Sequence, residues 1–132
     1  MNGLAAATRV FLSYATEDEE YAARFRQLIS EERTGLTFDD CAVRNGFSEN
    51  WRVSAREKIA ACDVVVCLVG EETYCSGPIG WEIEAAITLG KPVFAFSLVP
   101  WPVVIPEALR NHGLEMHRLD LMDVIEWADV VR

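Results

Sequence analysis

The sequence predicts an α/β fold, a central parallel sheet of about five strands with helices on both faces, and two patterns carry that prediction. Short β-branched or aromatic runs alternate three times with stretches of helical spacing, joined by short polar connections, which is the signature of βαβ units. The run Asp63 to Val69 is also apolar along its whole length after the aspartate, as a central strand buried on both faces must be.

Arg9 to Tyr14 (Arg-Val-Phe-Leu-Ser-Tyr) reads as the first strand. Thr16 then offers an N-cap with Glu19 three residues on, a capping box, and Tyr21, Ala22, Phe25, Leu28 and Ile29 follow at helical spacing. Gly35 ends that helix, and Leu36 to Phe38 is a short second strand running into Asp39, Asp40 and a polar loop. Ser48 is placed to cap a second helix with Trp51, Ala55, Ile59 and Cys62 on its buried stripe. After the third strand, Gly70 to Gly77 is a loop of small and polar residues, and Pro78 fits the first position of a third helix running to Leu89. Gly90 closes it, and Val93 to Phe96 is the fourth strand. From Ser97 to Gly113 the prolines 100, 102 and 106 rule out a regular helix through the apolar part, which predicts an irregular cover over a sheet edge or a contact with another chain. Met116 to Leu119 is a short fifth strand, and Asp120 caps a last helix to about Val130.

With 132 residues, the chain can bury one core and is read as one domain over 1–132. The composition, 51% hydrophobic and 25% charged, is that of a packed protein. A net charge of −9 with no basic run excludes a nucleic-acid binder and disfavours an anionic membrane surface, since phosphate contacts need clustered Lys and Arg. A small anionic ligand stays open, with Arg9, Arg44 and Arg52 available. The longest apolar runs fall far short of the roughly 20 residues that span a bilayer, and Met1 to Thr8 lacks the features of a signal peptide. A cytoplasmic protein is expected. Cys41, Cys62, Cys67 and Cys75 form no C-x-x-C pair and His112 and His117 lie far from them, so no metal site is expected. Cys62 and Cys67 read as small buried hydrophobes.

In open parallel sheets ligands bind at the carboxyl ends of the strands, near the point where strand order reverses. That selects Ser13 to Asp18, Asp39 to Phe47 and Gly70 to Ser76, with Glu82 the nearest carboxylate on the following helix. Ile79, Ile83 and Ile87 mark the core stripe of that helix; counted around the helix from Ile79, Glu82 stands at about 60° and Glu84 at about 140°. Glu82 is thus a border residue, expected to face an open cleft, while Glu84 is expected to face water. Ser13 and Tyr14 are placed either to line that cleft or, for the Tyr14 ring, to close the core. Trp51 can pack or stack, Asp39 and Asp40 can bind or simply turn the chain, and Thr73 and Ser76 can donate to a ribose or phosphate or serve as caps.

Phe11-Leu-Ser-Tyr14, Trp51 with Ile59, the strand Val64 to Val69 ending in Gly70, Thr73 and Ser76, then Glu82-Ile-Glu-Ala-Ala86 and Gly90-Lys-Pro92 together resemble the TIR-like family, nearest to the bacterial proteins of Thoeris anti-phage defence. The resemblance covers about residues 9–97, leaving a Pro-rich segment 98–113 and a C-terminal strand and helix 114–130. It implies a flavodoxin-like, TIR-type sandwich and an enzyme that takes NAD as substrate, with no cofactor. Cleavage of the nicotinamide N-glycosidic bond would yield ADP-ribose or a cyclic form as a signal. It places the catalytic residue at Glu82 and implies substrate contacts from Phe11, Ser13, Tyr14, Asp39, Asp40, Trp51, Thr73, Ser76 and Trp81. The position four residues before the glutamate, often aromatic in the family, is Pro78 here, and Trp81 adjoins the glutamate instead. Implied partners are NAD, other TIR surfaces in self-association, a phage-derived activator and a downstream nucleotide-sensing effector. A non-catalytic TIR assembly module and a nucleoside deoxyribosyltransferase-like enzyme are the alternative readings. A phosphate-accepting receiver domain is set aside, because the third strand runs into Val-Gly-Glu-Glu and not into an aspartate.

Overall fold

In the computed structural model, residues 8–31, 35–40 and 49–118 are described. Strands β1 (Thr8–Tyr14), β2 (Leu36–Asp39), β3 (Val64–Val69), β4 (Val93–Ser97) and β5 (Met116–Arg118) form one sheet in the order β2-β1-β3-β4-β5. Every pairing is parallel, with Val10 opposite Val64, Val65 opposite Val93 and Ala95 opposite Met116 in register. Helices α1 (Glu19–Glu31), α2 (Glu49–Ala61), α3 (Gly77–Thr88) and the short α4 (Glu107–Asn111) provide the crossovers and cover. This is the flavodoxin-like strand order, and its reversal falls between β1 and β3.

Alternation along the strands splits the core into two layers. Val10, Leu12, Val64, Val66, Leu68 and Phe96 face α1, whose Ala22, Phe25 and Ile29 are buried against them. Phe11, Val65, Cys67, Val69 and Ala95 face the other way, under Trp51, Ala55 and Ile59 of α2 and Ile79, Ile83 and Ala86 of α3. Cys62 and Cys67 are buried as expected and Cys75 is exposed. No helix among the described residues is long and apolar enough to cross a membrane.

Three local expectations change. Thr16 does not cap α1: Ala15 to Glu19 first make a 3-10 turn over Thr16–Asp18, in which the Asp18 N–H donates to the Ala15 carbonyl at 2.8 Å, with no side-chain cap. The backbone closes on itself there and leaves the threonine hydroxyl nothing to cap. Helix α3 begins one residue earlier than expected, at Gly77, so Pro78 is its second residue; Ser76 caps it by accepting from the Ile79 N–H at 3.3 Å. The stretch after Ser97 is irregular through its prolines, but once past Pro106 the chain makes the helix α4. Val103, Ile105, Ala108 and Leu109 pack onto the α2–α3 layer, while Trp101 is 52% exposed. The expected Ser48 cap, the helix from Asp120, and Cys41 and Arg44 lie outside the described residues.

Candidate functional site

Ser13 interrupts the buried run Val10 to Tyr14 of β1 with a small hydroxyl, and alternation turns it toward the α2–α3 layer. Its hydroxyl donates to Glu82 Oε1 at 2.6 Å, a hydrogen bond spanning 69 residues of chain. Both residues are 0% exposed. Glu82 therefore does not face an open cleft in this conformation. The buried stripe of α3 is Ile79, Glu82, Ile83 and Ala86, with Ile87 only partly buried, so Glu82 lies within the stripe and not at its border. The group opposite is a hydroxyl, and a carboxyl that finds a donor can be drawn into the core where an unmatched one would not be. The bond lies at the carboxyl end of β1, beside the strand-order reversal where ligands bind in such sheets. Glu84, as expected, is on the outer face, paired with His112 Nε2 at 2.9 Å. An open depression of about 360 Å³ between the start of α3 and α4 is lined by Tyr74, Gly80, Glu84 and Glu107 among others, and Glu82 is not part of it.

Three aromatic residues belong to the same α2–α3 layer. Trp51, nearly buried on α2, meets Trp81 of α3 with ring centroids 5.3 Å apart, and the Arg56 guanidinium lies 5.4 Å over the Trp81 ring, a cation–π contact. Phe11, two residues before Ser13, is fully buried in the same layer. Past β3, the Thr73 hydroxyl accepts from the Gly70 N–H at 2.8 Å and folds the loop back on the strand end. The Thr73 and Ser76 hydroxyls are thus both engaged with backbone.

Tyr14, Asp39 and Asp40 form a separate group. Tyr14 turns to the α1 layer, where its hydroxyl donates to Asp40 Oδ2 at 3.1 Å. The Arg26 guanidinium donates to the same oxygen at 2.9 Å. Lys58 Nζ donates to the Asp40 carbonyl at 2.7 Å and lies 3.8 Å from Asp39 Oδ1. Arg26 belongs to α1 and Lys58 to α2, so this network ties both helix layers to the end of the edge strand. Burial, reinforced by the Asp40 charge against the opposing help of Arg26, pushes the Tyr14 phenol above its ordinary range.

Sequence reasoning placed Asp18 in a candidate loop without singling it out. Its carboxyl is buried against Gly70, at the end of β3, and Oδ2 meets no hydrogen-bond partner among the described residues. Burial first, then the charges of Glu17, Glu71 and Glu72, push it above the usual carboxylate range. Among the described residues no group of three His, Cys, Asp or Glu side chains is arranged to hold a metal.

Residues 11–99 match the family model of the Thoeris protein ThsB, TIR-like domain. The chain belongs to that TIR-like family. Its fold is shared with the TIR domain of the Toll-related receptor TRR-2 from Hydra magnipapillata, at 17% identity over 92% of this chain and 93% of that one, with a TM-score of 0.61. It is also shared with the CMP N-glycosidase BcmB of Clostridium botulinum, at 22% identity over 93% and 99% of the two chains, with a TM-score of 0.57. No curated protein matches the sequence. For this TIR-like domain the Ser13–Glu82 pair is the feature of the strand-end region with the most evident chemical capacity: a fully buried carboxyl that accepts a short hydrogen bond from a serine.

Proposed function

We propose that this TIR-like domain cleaves the N-glycosidic bond between ribose and nicotinamide in NAD, with Glu82 as catalytic residue and Ser13 as the group that positions it. The observation that carries the reading is the buried Ser13–Glu82 hydrogen bond at the carboxyl end of β1. A structural neighbour named as an N-glycosidase acting on CMP fits the same reaction class.

The chemistry suits one carboxylate. When the C1′–N bond breaks, its electron pair goes to the pyridinium nitrogen and nicotinamide departs neutral, so no general acid is required, unlike hydrolysis of an ordinary glycoside. The ribose is left oxocarbenium-like, and the Glu82 carboxylate stabilises the developing positive charge. Water adding at C1′ and losing a proton gives ADP-ribose; an internal nucleophile of the same molecule gives a cyclic product. The complete burial of Glu82 implies that the strand-end loops part before a ribose reaches it. A phage-derived activator or self-association through TIR surfaces supplies that opening in this proposal, and a nucleotide-sensing effector in the cytoplasm reads the product. In this proposal Trp51 and Trp81, whose rings meet in the same layer, offer the aromatic surface on which a ring rests once the site opens.

Incubating the protein with NAD, with and without lysate of phage-infected cells, and following products by mass spectrometry tests this. Glu82→Gln keeps shape and hydrogen bonding but removes charge, and the loss of one such electrostatic contact costs about 10² to 10³ in rate. Glu84→Gln leaves the rate near that of the parent. The same full burial of Glu82 suits a second reading, a non-catalytic assembly module in which the pair only holds α3 on the sheet; NAD untouched under every condition would favour it.

A further inference from the structure

Asp18 is the least compensated buried group described at the strand ends. It is 9% exposed, and its Oδ2 has no hydrogen-bond partner among the described residues. Buried polar atoms in native structures almost always find one, and an exception calls for a ligand, a water or a functional reason. Among the described residues the charges acting on it are all negative: the carboxylates of Glu17, in the same 3-10 turn, and of Glu71 and Glu72, in the loop after β3. The fold nevertheless makes room for it. A Cβ at Gly70 would stand 2.7 Å from Oδ1 and 2.8 Å from Cγ, and closer still to Oδ2, so only glycine leaves this seat open. Keeping a carboxyl where it costs stability, with a glycine reserved beneath it, is the pattern of a group retained for function.

Its position says which function. Gly70 follows β3 at the strand-order reversal. By alternation from Leu68, its missing side chain would point to the α1 layer, where Asp18 precedes α1. Glu82 reaches the same strand ends from the opposite, α2–α3 layer. We propose that Asp18 is a second ligand-binding carboxyl of this site, accepting hydrogen bonds from the hydroxyls of a ribose other than the one at Glu82. A carboxylate offers acceptors on two oxygens, adjacent ribose hydroxyls supply two donors, and a dinucleotide carries two riboses. The inference rests on the nucleotide reading above.

The test uses ADP-ribose, which also carries two riboses and needs no turnover, with Asp18→Asn and Asp18→Ala in the intact chain. Calorimetric titration is expected to show the parent binding ADP-ribose and both variants binding at least tenfold more weakly. Without ligand, at least one of the two variants should melt at or above the parent's temperature at pH 7.5. The sign of the pH dependence is fixed: a carboxyl whose folded pKa is raised stabilises the fold only while protonated, an advantage lost as pH rises through the folded value. The variants' advantage over the parent therefore shrinks as pH is lowered. Equal ADP-ribose affinity in parent and variants, no binding by the parent, or a lower melting temperature in both variants overturns the proposal. A parent that binds ADP-ribose through Asp18 yet leaves NAD intact would overturn the cleavage reaction and leave this inference standing.

Discussion

Replacing Ser13 by alanine removes a single hydroxyl, and the structure fixes what that removal costs. The bond to Glu82 Oε1 is 2.6 Å, within the short range of hydroxyl-to-carboxylate bonds, and both partners are fully buried. Removing one partner of a buried hydrogen bond costs about 1–3 kcal/mol, because water cannot replace the missing donor. For a domain of this size, 1 kcal/mol corresponds to roughly 3–6 °C, so Ser13→Ala should lower the melting temperature by about 5–15 °C. In urea the midpoint should fall with the slope unchanged, since the surface exposed on unfolding stays the same. The cycle Ser13→Ala, Glu82→Gln and both together isolates the pair, and a coupling of at least about 1 kcal/mol is expected for residues in direct contact. Activity should follow orientation: a carboxylate freed from its donor and displaced by about 1 Å can lose on the order of 10² in rate. A Ser13→Ala protein as stable as the parent, or single effects that add to within about 0.5 kcal/mol, would refute the claim that this bond holds the glutamate.

Gly70→Ala should cost about 1–3 kcal/mol, as overpacking against buried atoms does, because the new methyl meets the Asp18 carboxyl; adding Asp18→Gly should recover most of that in urea unfolding, and strictly additive losses would refute the steric account. Asp40→Ala removes the acceptor shared by Tyr14 and Arg26. With Arg26 about a third exposed, the loss should be only about 1 kcal/mol. A spectrophotometric titration should meanwhile show the Tyr14 phenol ionising at lower pH, because the Asp40 charge that helps hold it up is gone.

The regular elements were legible because they rest on local periodicity. The β-branched and aromatic run of β1, the unbroken apolar β3 and the i, i+4 spacing of Ile79 and Ile83 are visible in any short window, and all three form the elements they predict. Ser76 was legible as a polar residue ahead of α3, and it caps that helix. The capping box at Thr16 failed because a competing local structure, the 3-10 turn from Ala15, closes with backbone atoms alone and leaves no trace in side-chain pattern. Glu82 was placed on the correct helix but at the border of its buried stripe, whereas it lies inside that stripe; whether such a carboxyl opens to solvent or turns inward depends on the residue opposite. That residue belongs to another strand, and nothing near Glu82 in the chain announces Ser13. The network from Tyr14 through Asp40 to Arg26 and Lys58 is hidden for the same reason, since its members come from four elements. Asp18 falls in a loop that the strand-end rule selects, but nothing singles it out there: an acid just ahead of a helix reads as an ordinary first-turn residue until its burial is seen.

The parallel register has a consequence for how the protein comes into being. A parallel strand cannot pair with its immediate successor through a tight turn, so the chain must complete a crossover first. Here β1 is made early, yet its central neighbour β3 begins only at Val64. On a ribosome, Val10, Phe11 and Leu12 must wait through the synthesis of α1, β2 and α2 before both their edges can be matched, and long-range pairing of this kind is slow and exposes apolar strands meanwhile. The Ser13–Glu82 bond waits longer still, until α3 has emerged. A nascent chain halted near residue 70 would hold much of the α1 layer but no glutamate for its serine, so this buried polar pair is completed only when translation has passed Glu82.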